Sequence, residues 1–259
     1  MNNLVCDYRL GQSLWSLAKM YNTTANTIKR RLSKLGVQTR NRKEQCILDG
    51  KKRRAKVNSQ YFHVMDAPEK WYILGLLFAD GSNTTRGHIA LCLKDVDILE
   101  DVAKRISYSG RVKQYQRNFF SLQWCDSIMS SRLFDLGCIP NKSAYLIFPN
   151  ISEQYVSHFM RGYFDGDGCI SSSGPRWRFS LTSSSFYFLE RCGQYIEDIL
   201  DVNTGIYCKG DSAYSLEVCG NQQIQDVMDW LYRGVTICLR RKYERYFQLR
   251  EERQYVSML

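Results

Sequence analysis

Ile73-Leu74-Gly75-Leu76-Leu77-Phe78-Ala79-Asp80-Gly81 is an apolar run closed by an acid. Met160-Arg161-Gly162-Tyr163-Phe164-Asp165-Gly166-Asp167-Gly168 closes the same way, 87 residues later. In both copies a glycine stands five residues before the last acid and a small residue one before it. Each run is expected to be helical. Helices with small residues at matched positions can pack backbone to backbone, which sets their ends, and Asp80 and Asp167, side by side. Carboxylates there face two negative dipole ends and each other, a penalty that a bound cation removes. Paired carboxylates at one point are what a divalent metal needs to cut a phosphodiester. A single Asp-Gly is a common helix terminus, because glycine suits the left-handed position there. Here the surroundings repeat as well. Asp66-x-x-Glu69 and Asn150-x-x-Glu153 read as helix starts, and alternating strand-like stretches follow each copy.

The two runs resemble the paired motifs of the LAGLIDADG homing endonucleases, in the single-chain form with two pseudo-symmetric repeats. The resemblance covers roughly residues 66–250. It implies an α+β fold of two αββαββα repeats whose antiparallel sheets form a saddle over DNA. It makes Asp80 and Asp167 the metal-binding catalytic acids, with Gly81 and Gly168 beside them at the metal, and makes Gly75 and Gly162 the helix-packing glycines. The first copy departs at Phe78, where the second keeps an acid, Asp165; that position is not a metal ligand in the family. A basic residue late in each family repeat approaches the active site. Lys142, in Pro140-Asn141-Lys142-Ser143, and Lys242, in Arg240-Arg241-Lys242-Tyr243, are the candidates. The implied cofactor is Mg²⁺, as two or three ions, with Mn²⁺ or Ca²⁺ substituting in binding.

Beyond each motif the periodicity falls to two. Ile89, Leu91 and Leu93 alternate with polar positions, as do Trp177, Phe179 and Leu181. Arg111, Lys113, Tyr115 and Arg117 are expected to share one strand face. Strands with one cationic and one apolar face suit a sheet with helices behind and a ligand in front. Arg86, His88, Lys94, Lys113, Arg117, Arg176, Arg178 and Lys209 are the expected DNA contacts from the sheets. Helices are expected near 96–106, 127–136, 184–200 and 220–232.

The charge is concentrated. The chain carries 36 Lys and Arg against 26 Asp and Glu, a net +10. Residues 1–65 hold 14 of the bases and 3 of the acids, a net +11, so the rest is almost balanced. A concentrated positive segment favours polyanions through counterion release. Within it, Leu14, Leu17, Ala18 and Tyr21 form one apolar stripe, Thr24 is a fitting N-cap, and Ile28, Leu32 and Leu35 form a second stripe closed by Gly36. The outer face of the second helix carries Asn26, Thr27, Lys29, Arg30, Arg31 and Lys34. A short helix, a turn and a basic helix resemble a helix-turn-helix that lays its second helix in the major groove. Arg40 and Arg42 extend the basic surface.

The expected organisation is a helix-turn-helix module over 1–40, a basic linker without a core over 41–65, and repeats over 66–150 and 151–259. The expected function is that of a monomeric, site-specific double-strand DNA endonuclease. A non-catalytic DNA-binding regulator of the same fold and an intron RNA maturase, with intron RNA as a partner, are the alternatives. No apolar run reaches the length of a membrane span. The first residues lack a signal-peptide pattern, which with the ten irregularly spaced cysteines and no C-x-x-C points to reduced thiols in an intracellular protein of cytoplasm, nucleoid or organelle matrix. The termini, Met1-Asn2 and Ser257-Met258-Leu259, lack the residues expected for intein splicing.

Overall fold

The computed structural model describes residues 2–53 and 55–257, and side chains there except at 2, 51–53, 143 and 254–257. The basic run Lys51-Lys52-Arg53-Arg54 therefore lies outside the described side chains. The chain forms two compact units, Met1–Arg54 and Ala55–Leu259.

The first unit holds four helices: α1 (Asn2–Arg9), α2 (Leu14–Met20), α3 (Ala25–Lys34) and α4 (Arg42–Arg53). Its small core joins Leu4 and Tyr8 of α1 to Leu17, Ala18, Ile28 and Leu32. Thr24 caps α3, its hydroxyl accepting from the Thr27 N–H at 3.2 Å. Leu35 departs from its expected stripe and is exposed. The chain turns at Gly36, with φ +72, and Val37 packs on the core instead, its N–H donating to the Leu32 carbonyl at 2.9 Å. That is the bond that closes a helix ending in a left-handed glycine. The first half of the expected coreless linker is helix α4. Its start is a reciprocal capping box: the Asn41 N–H donates to Glu44 and the Glu44 N–H to Asn41, both at 2.9 Å.

The second unit begins earlier than expected, because residues 55–65 join its core. Tyr61 and Phe62 are buried there, and the Asn58 N–H donates to the Ile106 carbonyl at 2.8 Å. The first repeat runs α5 (Pro68–Asp80), β1 (Gly81–Asn83), β2 (His88–Leu93), α6 (Val96–Arg105), β3 (Lys113–Gln116), β4 (Phe119–Cys125), α7 (Ser127–Asp135). The second runs α8 (Glu153–Asp167), β5 (Gly168–Ser173), β6 (Arg176–Ser183), α9 (Phe186–Leu200), β7 (Thr204–Cys208), β8 (Tyr214–Val218), α10 (Asn221–Tyr232), and adds α11 (Arg240–Ser257). Each repeat is αββαββα. Each sheet is antiparallel, in the orders β1-β2-β4-β3 and β5-β6-β8-β7. Ile89, Leu91, Leu93, Trp177, Phe179 and Leu181 point inward as the alternation requires.

Some local expectations fail for identifiable reasons. The N-caps are Ala67, with Pro68 following, and Ser152; Asp66 instead meets Lys70 at 2.7 Å. The register of β3 shifts between Gln114 and Gln116. Arg111 precedes the strand and Arg117 lies in the following turn, so the four-residue face is broken. All ten cysteines are free. Among the described residues no helix is long and apolar enough to cross a membrane.

Candidate active site

Helices α5 and α8 form the spine of the second unit. A Cβ on Gly75 would land on the Phe159 carbonyl, and one on Gly162 would land on the Tyr72 carbonyl. The two contacts are equivalent under the repeat. Mid-helix glycine costs roughly 0.5–1 kcal/mol relative to alanine, and here that cost secures the close crossing. One turn further on, a Cβ on Gly166 would strike Ala79 and come within 2.8 Å of an Asp80 carboxylate oxygen. The crossing therefore delivers Asp80 to the end of the other helix, next to Asp167.

The chain passes from each helix straight into a strand. Gly81 and Gly168 are extended, with φ −91 and −93, and not left-handed as a simple helix stop would have them. They are glycines because a Cβ would meet the Leu77 carbonyl in one case and the Phe164 carbonyl in the other, both at 2.6 Å. Both acids remain accessible to solvent. Burial of the surrounding helix ends and the facing Asp167 push the Asp80 carboxyl up to about 6, against the pull of Lys242 and Lys142. Asp167 is raised too, by burial, with the same two lysines opposing.

Lys142 and Lys242 are both only 6% exposed. The Lys142 ammonium donates to the Gly81 carbonyl. The Lys242 ammonium donates to the Gly168 carbonyl at 2.5 Å and the Phe164 carbonyl at 2.6 Å. The acceptors Gly81 and Gly168 are equivalent under the repeat, so two lysines from distant segments reach one pseudo-symmetric place. There they cap the negative ends of both helices. Burial lowers both ammonium groups, Lys242 to about 8. The carbonyls of Gly81 and Gly168, expected beside a metal, thus each give a lone pair to lysine.

The segments bearing the lysines are anchored differently. In the first repeat the buried Asn83 amide donates to the carbonyls of Ser130 and Cys138, both at 3.0 Å, and accepts from the Ser130 hydroxyl at 2.7 Å. In the second, buried Asp165 accepts from the Leu239 N–H and the Tyr72 hydroxyl, each at 2.7 Å, and from the Tyr232 hydroxyl at 3.2 Å. Burial raises Asp165 to about 6. Sequence reading passed over Asn83 and these tyrosines. A usable signal was present in Cys138-Ile139-x-x-Lys142 and Cys238-Leu239-x-x-Lys242, a repeat of the lysine segments themselves.

Among the described residues there is no group of three or more His, Cys, Asp or Glu that could hold a metal. The protein offers two carboxylates, both destabilised as anions by burial. That fits a cation that takes its remaining ligands from phosphate and water.

The sheet candidates lie as expected in part. Arg176 and Arg178 are exposed, opposite Ser173 and Ser171 on the outward face of β6. His88 pairs with Cys125 on the outward face of β2, and Lys113 with Ser121. Arg86, Lys94, Arg117 and Lys209 are exposed at strand ends and turns, with Lys94 over the Phe119 ring and Lys209 on the Thr182 hydroxyl. In the first unit Asn26, Arg30, Arg31 and Arg42 are exposed. Thr27 bonds the capping Thr24 hydroxyl. Arg40 is engaged internally: its guanidinium lies 4.0 Å from the Tyr8 ring centre and donates to the Gln12 carbonyl. It fastens the chain after α3, so its expected place at DNA is not supported.

Residues 154–229 match the family model described as a LAGLIDADG-like domain. The second unit as a whole has the LAGLIDADG fold. The chain superposes on meganuclease I-SmaMI bound to uncleaveable DNA with a TM-score of 0.54 and 14% identity, over 72% of this chain and 90% of that one. It superposes on the LAGLIDADG meganuclease I-AabMI bound to uncleaved DNA with a TM-score of 0.52 and 13% identity, over 74% and 92%. It also superposes on full-length WhiA from Thermatoga maritima, with a TM-score of 0.51 and 16% identity, over 76% and 65%. In sequence it is 31% identical over 163 residues to reverse gyrase of Thermococcus kodakarensis, covering 57% of this chain and 9% of the relative. It is 30% identical over 143 residues to the probable translation initiation factor IF-2 of the same organism, covering 50% and 12%. The chain thus spans about a tenth of the length of the curated relatives it matches.

Proposed function

We propose that this chain is a metal-dependent, site-specific double-strand DNA endonuclease of the homing type, acting as a monomer on duplex DNA. The observation that carries the reading is the doubled site: two solvent-accessible carboxylates meet at one point, each with a buried lysine on the equivalent carbonyl. A pseudo-symmetric site suits a pseudo-symmetric substrate, the two strands of a duplex. Asp80 and Asp167 would hold Mg²⁺, with Mn²⁺ as a substitute. The metal supplies an activated water and stabilises the departing oxygen. The residues hold the geometry: Lys142 and Lys242 keep the helix ends and their acids in register and lend positive charge where negative charge grows. Arg176, Arg178, Lys113 and their neighbours face the phosphates, and α3 of the first unit reads the major groove with Asn26, Arg30 and Arg31.

The DNA-bound state of the two meganuclease structures supports a nucleic-acid partner. The relatives support mobility, since much of this chain matches a small part of proteins whose names share no activity. The likeness to WhiA favours a second reading, a DNA-binding regulator that does not cut; the presence of both acids and both lysines argues for the nuclease. A plasmid library with randomised inserts, incubated with and without Mg²⁺, separates them. Mg²⁺-dependent linearisation of a subset, lost in Asp80→Asn and Asp167→Asn with binding retained, is expected. Selective binding without any nicking would establish the regulator.

A further inference from the structure

The second repeat buries a charged cluster where the first is apolar. Arg161 and Asp165 stand one turn apart on the same face of α8. Their equivalents on α5 are Leu74 and Phe78, both buried. Arg161 is 0% exposed. Its guanidinium donates to the Leu231 carbonyl at 2.8 Å and the Ile237 carbonyl at 3.2 Å. Asp165 takes the Leu239 N–H at 2.7 Å. Together they hold the connection from α10 to α11 at its beginning, middle and end. The Lys242 N–H then donates back to the Leu239 carbonyl at 3.0 Å, which sets the first turn of α11 and aims the ammonium at Gly168.

Stability alone does not explain this cluster. Buried charge pairs are seldom better than apolar packing of equal volume, and the first repeat fills the same place with Leu74 and Phe78. What the second repeat lacks is the first repeat's own anchor: the equivalent of Asn83 is Ile170, an apolar residue. We propose that Asp165, with Arg161 behind it, is a positioning residue for Lys242, and that only one of the two strand-cutting centres depends on it. The strand-specific part rests on the nuclease reading above; the positional part does not.

The test uses the full chain and two readouts. Amide hydrogen exchange is followed in peptides covering 233–242 and, as internal control, 137–145. Asp165→Ala should speed exchange over 233–242 by about tenfold or more and leave 137–145 unchanged. Asp165→Asn, which keeps an oxygen for the Leu239 N–H, should stay near the wild type. Arg161→Met should give the same signature and serves if Asp165→Ala does not fold. Unchanged exchange over 233–242, or equal gains in both segments, overturns the proposal. In Mg²⁺, with each strand of a cleavable duplex labelled separately, Asp165→Ala should slow one strand by about a hundredfold and leave the other near its normal rate. Equal slowing of both strands marks a merely structural role and overturns the proposal. If the wild type cuts no duplex, the nuclease reading falls, and exchange still decides whether Asp165 positions the Lys242 segment.

Discussion

The two repeats reach the same site by different chemistry. In both, a helix ends in an acid, a glycine leads directly into a strand, and a buried lysine caps the helix end. The scaffolding behind differs. The first repeat sets Phe78 against Phe159, rings 5.1 Å apart, and holds its lysine segment with the neutral amide of Asn83. The second buries Asp165 and Arg161 and holds its segment with charge. The position closest to the two acids is therefore the same, and the supporting position is free to change, provided that some group satisfies the backbone of the returning segment.

Four experiments press on that comparison. The largest effect is expected where the repeats are most alike. Gly75→Val and Gly162→Val should each destabilise by more than about 4 kcal/mol, since each drives a side chain into backbone that cannot move. Denaturant melts of both variants check this, and a tolerated valine at either position would break the symmetry of the crossing. Next come the lysines. Lys142→Met and Lys242→Met should each slow cleavage by roughly two orders of magnitude, in opposite strands. Strand-resolved kinetics giving the same slow strand for both would show that the lysines do not serve separate centres.

The third experiment concerns an asymmetry outside the repeats. Removing residues 1–54 takes away 13 Lys and Arg and 3 Asp and Glu, and leaves the whole second unit. Affinity should fall, its salt dependence should become shallower, and the footprint should shrink at one end only. An unchanged footprint would take the first unit off DNA. The smallest effect is on stability, at one acid of the site. The Asp80 carboxyl is raised in the folded state to about 6, so the native protein binds more protons than the unfolded chain between the usual carboxylate range and about 6. Its charged form therefore costs stability, a cost that grows as pH rises through that window. Without metal, Asp80→Asn should melt above the wild type at pH 7.5, and the gap should close toward pH 4. A gap that widens on acidification would contradict the raised carboxyl.

The spine was legible in the sequence because its demands are local and repeated: a glycine for close approach, an acid one turn and a half later, and the same again. The αββαββα order came from the resemblance, while the alternation of Ile89, Leu91 and Leu93 and of Trp177, Phe179 and Leu181 marked one inward-facing strand in each repeat. What stayed hidden was joined by long-range contact. Asn83 meets Cys138, and Asp165 meets Leu239, across more than fifty residues. Arg40 read as one more base in a basic segment, though it lies against the Tyr8 ring. Helix α4 was missed although Asn41 and Glu44 carry a capping signature, because the surrounding charge outweighed it.

The backbone contact at Gly75 and Gly162 has a consequence for any duplex the protein cuts. Helices in backbone contact there resist spreading, so on the proposed nuclease reading the acids would act as a ruler of fixed length. The duplex would then do the adapting, by narrowing or bending until its two target bonds match the ruler. Sequences that deform cheaply would then be favoured at base pairs which no side chain touches, and selectivity would begin in the stiffness of a glycine crossing.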